Sequence, residues 1–230
     1  MPSAPSIIPP SALAFLEQLK AHNYREWFNE HKEEYLRELV AVEGFADALL
    51  ARMNQHDLIE TPTGKSSLHR IYRDTRFSKD KTPYRTEFSG GFRRATKLRR
   101  GGYYYRIEPG NSFVGGGFWG PNAPDLKRIR DDISYDAAPL RKILKSKQFV
   151  SNFGALQGEQ LKTAPKGYDA TNEAVDLLRY KQFLLIKPFT DEEVLSPAFA
   201  DKVNDAFKAM RPFLDYMSEV LTMDENGEGL

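Results

Sequence analysis

The sequence predicts an α+β protein, with an antiparallel β-meander over about residues 67–119 and a short strand near residues 183–187 packed with N-terminal and C-terminal helices. Three observations predict it. Apolar residues recur at helical spacing before residue 56 and again after residue 123. Between these stretches, aromatic and β-branched residues alternate with polar ones and are punctuated by glycine. The blocks run helix, strand, helix instead of alternating, which separates α+β from a parallel α/β sheet.

Residues 1–10 lack a basic n-region and an apolar h-region and read as a loose arm. Ser11 can cap a helix carrying Leu13, Leu16 and Leu19 on one side. Asn23 then reads as the cap of a longer helix, with Glu26 reaching back to it. Phe28, Tyr35, Leu39, Val42, Ala46, Leu49 and Met53 form its buried stripe over about eight turns, and Gly44 is placed to bend or break it. Residues 61–64 form a loop. In the β region, Phe88, Gly90 and Phe92 alternate with Glu87, Ser89 and Arg93, and Tyr103, Tyr105 and Ile107 alternate with Tyr104, Arg106 and Glu108. Turns are expected at residues 98–102 and 108–112. Helices are expected at residues 125–134, 138–146 and 172–180, before the last strand. Ser196-Pro197 opens a final helix with Phe199, Val203, Phe207 and Met210 inward and a kink or restart at Pro212. Residues 11–222 read as one domain and 223–230 as a frayed tail.

With 40% apolar and 28% charged residues, the 230-residue chain has a globular composition. It holds no apolar run long enough to span a bilayer, so no membrane partner is expected. The absence of cysteine excludes disulfides, thiolate catalysis, zinc ribbons and iron–sulfur clusters. The cytoplasm is the expected compartment, and the sequence carries no signal of oligomeric state. The net charge of +1 hides an asymmetry: residues 65–106 hold 13 Lys/Arg against 3 Asp/Glu, while the rest of the chain is correspondingly acidic. Such a concentration implies an anionic partner, or acidic elements of the same chain packed over it.

Two motifs imitate nucleotide sites. Residues 115–120 fit G-x-G-x-x-G, but Pro121 and Pro124 follow at once and a meander precedes, so a strand closely approached by another backbone is the better reading. Gly64-Lys65-Ser66 resembles the end of a phosphate-binding loop, yet position 59 is Ile and a helix comes before it. His22, His31, His56 and His69 form no metal-like pair with a carboxylate. His31 falls on the helix stripe and reads as a satisfied core histidine. No cofactor or metal site is read from the sequence.

Residues 70–85 stand out. As a strand, their first part would place Arg70, Tyr72, Asp74 and Arg76 on one face and Arg73 on the other. Residues 78–84 carry turn chemistry. Arginine forks suit phosphate or carboxylate, and Tyr72, Phe77 and Tyr84 interleaved with them could stack a base.

Arg70, Arg73, Asp74, Arg76 and Phe77, followed by Asp80, Lys81 and Tyr84, form a pattern that resembles the signature of the family known as domain of unknown function 2461. Further family-like pieces are Arg25-Glu26-Trp27-Phe28 with His31-Lys32, Glu108-Pro109-Gly110, Gly115-Gly116-Gly117, and Leu161-Lys162 with Ala164 to Tyr168. The resemblance covers nearly the whole chain and implies a single domain of this size. It carries no activity with it. One departure is the absence of a proline near position 40, where this chain reads Leu39-Val40-Ala41-Val42.

Two readings of the segment follow. In the first, Arg70, Tyr72, Arg73, Arg76, Lys79, Lys81 and Tyr84, with Lys166 as an outlying member, bind a phosphate-containing ligand, a nucleotide or a nucleic acid. Asp74, Asp80 or Glu108 would then serve as general base or magnesium ligand. Carboxylates beside arginines have lowered pKa values and suit ligation or orientation better than proton donation. In the second, the arginines form a structural ion-pair network with Asp74, Asp80, Glu108 and the acidic first helix (Glu26, Glu30, Glu33, Glu34), and the protein is a non-catalytic interaction or scaffold domain.

Overall fold

Periodic apolar spacing before residue 56 becomes helix in the computed structural model, which describes residues 7–96 and 99–223. The first helix, Pro10–Ala21 (α1), starts on a proline, whose fixed φ suits a first turn. Ser11 lies inside that turn and does not cap it; its hydroxyl donates to Glu38 Oε2 at 2.9 Å. The long helix expected from residue 23 is two, Arg25–Glu30 (α2) and Lys32–Met53 (α3), and the break falls at His31 instead of Gly44. The His31 ring stacks on Trp27 at 4.0 Å and its Nδ1–H donates to the Trp27 carbonyl at 2.8 Å, which satisfies it as a structural histidine. Asn23 is not the cap of α2. Tyr24 occupies that position without a side-chain bond, and the Asn23 amide is engaged elsewhere.

Gly64–Ser67 (α4) accounts for the Gly-Lys-Ser triplet. Thr63 and Ser66 cap it reciprocally, and a Cβ on Gly64 would lie 2.2 Å from the Asp47 nitrogen. Lys65 pairs with Glu43 at 3.2 Å.

The sheet is antiparallel, with strands Phe88–Arg93 (β1), Gly102–Ile107 (β2), Ser112–Phe118 (β3) and Phe183–Phe189 (β4) in the order β1-β2-β3-β4. Residues 67–87 add only isolated bridges, Leu68 to Gly90 and Tyr72 to Tyr84. The expected strand face of Arg70, Tyr72, Asp74 and Arg76 therefore does not form. The turn at residues 108–112 is present, closed by Asn111 N–H on the Glu108 carbonyl at 2.9 Å with Gly110 at φ 69°. The turn at residues 98–102 falls partly outside the described residues, as do most of the expected N-terminal arm and C-terminal tail. The glycine run lies in β3, as a closely packed strand should: a Cβ on Gly117 would meet the Phe183 carbonyl oxygen at 2.1 Å.

Later helices are Ala123–Tyr135 (α5), capped by Asn122, then Ala138–Leu144 (α6), Lys147–Phe153 (α7), Val175–Leu178 (α8), Asp191–Leu195 (α9) and Phe199–Thr222 (α10). The helix expected over residues 172–180 shrinks to one turn because Asp169 and Asn172 accept backbone N–H bonds from Thr171 and Ala174, a local competitor of helix. Ser196 ends α9 and does not start α10, and α10 runs on through Pro212.

The chain falls into two compact units: Met1–Phe92, Tyr104–Val114 and Pro188–Asp205 form the first; Arg93–Tyr103, Gly115–Lys187 and Ala206–Leu230 form the second. In the first unit, Phe28, Val42, Phe45, Phe92, Tyr105, Ile107 and Phe199 fill the core; in the second, Ile129, Leu140, Phe149, Leu178, Phe183, Phe207 and Met210 do. No described helix is long and apolar enough to cross a membrane.

Candidate functional site: a braced cationic hairpin

Residues 70–85 form a hairpin-like arm of the first unit. Its two limbs are joined by Arg73 N–H on the Pro83 carbonyl (2.9 Å) and Arg85 N–H on the Ile71 carbonyl (2.8 Å). Asn23 clamps the outer edge as a strand would: Nδ2 donates to the Tyr84 carbonyl at 2.9 Å, and Oδ1 accepts from Tyr84 N–H at 3.0 Å. Tyr84, at 4% exposure, stacks on Phe28 at 4.1 Å. It anchors the arm in the core and offers a ligand no surface.

Two internal ion pairs hold the distal part. Arg76 meets Asp74 side-on, with Nη2 to Oδ2 at 2.6 Å and Nε to Oδ1 at 3.0 Å. Arg73 Nη1 donates to Asp80 Oδ2 at 2.5 Å and to the Thr82 carbonyl at 3.1 Å. Asp80 also accepts from Thr82 N–H at 3.0 Å and from its hydroxyl. These bonds set the carboxylates. The Arg76 guanidinium, then its backbone N–H, pull Asp74 below the usual range. The Thr82 backbone N–H and then Arg73 hold Asp80 at about 2. Both are ionised acceptors committed to their own loop, a bracing role. Lys81 reaches back to the Thr75 carbonyl at 2.8 Å.

What remains outward is informative. Phe77 sits at the tip, 96% exposed, with the Arg76 guanidinium 5.9 Å from its ring centre. Tyr72 is 56% exposed. Arg70 and Lys79 are exposed, and among the described residues neither has an acidic partner. None of the acids Glu26, Glu30, Glu33 and Glu34 forms an ion pair with the arm among the described residues. A shallow recess of about 480 Å³ lies at the arm's base, lined by Tyr24, Arg25, Glu26, Thr75, Lys81 and Pro83.

The other candidates lie elsewhere. Glu108, 6% exposed, belongs to the sheet, where Arg106, Asn111 (2.8 Å) and Thr86 (3.1 Å) bond it. Lys166 is an exposed turn residue of the second unit and is not part of the arm. A second recess, of about 260 Å³, lies in that unit among Leu144, Leu156, Leu177 and Tyr180, and its Arg141 is already paired with Asp176 at 2.6 Å. Among the described residues no cluster of three or more His, Asp or Glu is arranged to hold a metal ion.

Sequence reasoning missed Arg85, Arg106 and Arg94 as organising residues. Arg85 pairs with Glu87 at 3.3 Å and Arg106 with Glu108. Arg94, 2% exposed, bonds Asp215 and Ser218. The outward alternation of Tyr104, Arg106 and Glu108 was the one available signal for the sheet pair.

Fold and arm define an α+β protein with an antiparallel sheet and a protruding basic hairpin. The chain belongs to the family described as conserved hypothetical protein (DUF2461), whose model matches residues 11–216. No curated protein and no solved structure matches it significantly.

Proposed function

We propose that the arm binds nucleic acid, gripping phosphates with Arg70, Lys79 and Lys81 and stacking an unpaired base on Phe77. The observation that carries the reading is Phe77, a large apolar ring almost fully in water at the end of a loop whose own ion pairs hold it in place. Leaving such a ring in water forgoes roughly 1.5–3 kcal/mol of burial, so an exposed aromatic on a braced support suits recognition. Of the three cations named, only Lys81 lines the recess at the arm's base. They are spread along a protrusion, which suits a polyanion better than a single phosphate.

Fluorescence anisotropy with labelled oligonucleotides at about 50 mM salt tests this. Arg70→Glu and Lys79→Glu should each weaken binding about tenfold or more, and each should flatten the dependence of log affinity on log salt by about 0.7 for every phosphate no longer gripped. Phe77→Ala should weaken binding with the slope unchanged. Wild-type protein that binds no oligonucleotide at low salt, or arm variants that bind like wild type, would refute the reading.

A further inference from the structure

A row of three rings crosses the first unit on the sheet face that Tyr105 and Ile107 leave behind when they turn into the core. His69, paired through its backbone with Ser89 of β1 at 2.8 Å, has its ring 6.0 Å from Tyr104 of β2 at a 32° tilt. Tyr104 is in turn 5.6 Å from Phe113 of β3 at 42°. None of the three is buried. One hydroxyl organises the row: Ser89 Oγ lies 3.2 Å from His69 Nδ1 and also bonds the Tyr104 hydroxyl. The polar edges are thus occupied, while part of each ring stays in solvent. Arg106 lies 5.7 Å from the Phe113 ring centre.

Charge on this face is compensated, unlike that of the arm. Arg85 pairs with Glu87 and Arg106 with Glu108, and both glutamates are mostly covered. His69 is held below its ordinary value, first by burial and then by Arg85, which favours the neutral ring at neutral pH. The face therefore offers flat π surfaces with little net charge. Arg85 ends the arm and stands beside His69 and Tyr104, so arm and ring row are continuous within one unit.

We infer that His69, Tyr104 and Phe113 form a base-stacking platform, and that the ligand of this protein is single-stranded nucleic acid, its backbone held by the arm and its bases laid on the sheet. This rests on the arm reading and deepens it by naming the ligand class. Bases inside a duplex cannot reach a flat row of rings, whereas those of an open strand can be splayed onto it. Stacking tolerates any base, so the platform should show little sequence preference.

Anisotropy with labelled oligo-U, oligo-dT and a mixed-sequence duplex, each about 20 nucleotides long to exceed a site of roughly 4–16, separates the outcomes. Single strands should bind at least about tenfold tighter than the duplex. Tyr104→Leu and Phe113→Leu should each cost about fivefold or more in single-strand affinity and leave the salt slope unchanged, since the grip on the phosphates is untouched. Thermal melting checks each fold; if Tyr104→Leu does not fold, Phe113→Leu carries the test, because Phe113 is not buried. Ring variants that bind like wild type while Lys79→Glu abolishes binding overturn the platform and leave the arm reading intact; equal affinity for duplex and single strand overturns both the platform and the unpaired base on Phe77, leaving only the grip on phosphates. Absence of any binding by the wild type overturns both.

Discussion

Arg76 and Arg94 are each paired with an aspartate, and physical setting gives the two pairs different weights. Arg76 and Asp74 have side chains 78% and 59% exposed, so water competes for both charges and the pair contributes little to global stability. The Arg94 side chain is 0% exposed against 47% for Asp215, so desolvation of the guanidinium dominates. Removing Asp215 would take an acidic partner from a buried cation. Asp215→Ala should therefore lower the unfolding free energy by more than Arg76→Ala, which should change it by less than about 0.5 kcal/mol. Urea melts of the two variants measure both, and equal losses would contradict the assignment. Arg94 was invisible in the sequence for a plain reason: it precedes its partner by more than a hundred residues, and nothing local marks an arginine as buried.

At the scale of elements, the arm is a short hairpin that cannot stabilise itself by packing. It relies on Asn23 at its base, Tyr84 in the core and two ion pairs above them. The pH dependence follows in sign. Asp80 is ionised down to about 2 in the folded arm and near 4 when free, so its bracing is fully present above about pH 4 and is lost as pH falls toward 2. Backbone amide exchange at Arg73 and Thr82 should accelerate over that window before the sheet amides do. Simultaneous loss of arm and sheet protection would show that Asp80 does not act locally. The helices were legible because their signal is local: of the expected stripe, Phe28, Val42, Ala46, Leu49 and Met53 are buried, while Tyr35 and Leu39 are only partly covered. The arm's architecture was not legible. Its composition drew notice, but Asn23 sits 61 positions from Tyr84, and an asparagine before a helix reads as a cap until its partner is seen. The strand reading of residues 70–76 failed for the same reason. Alternation was present, but no neighbouring strand supplied a ladder beyond the single Tyr72 bridge.

For the whole molecule, a net charge of +1 says little, because charge is segregated. Within the arm the six Lys/Arg exceed the two Asp, and pairing consumes Arg73, Arg76 and, through Glu87, Arg85, so the outward excess rests on Arg70, Lys79 and Lys81. Outside residues 65–106 the chain holds 20 Lys/Arg against 29 Asp/Glu, so the cationic excess belongs to that stretch. Phe77 at the tip has one more consequence. The peptide bond after Arg76 stands clear of the fold, with the Arg76 side chain 78% exposed, and presents a trypsin site on a loop that can enter a protease cleft. Brief digestion should cut there ahead of the many arginines in the helices, and a bound oligonucleotide should shield that bond, turning the tip into a footprint of occupancy readable by mass alone.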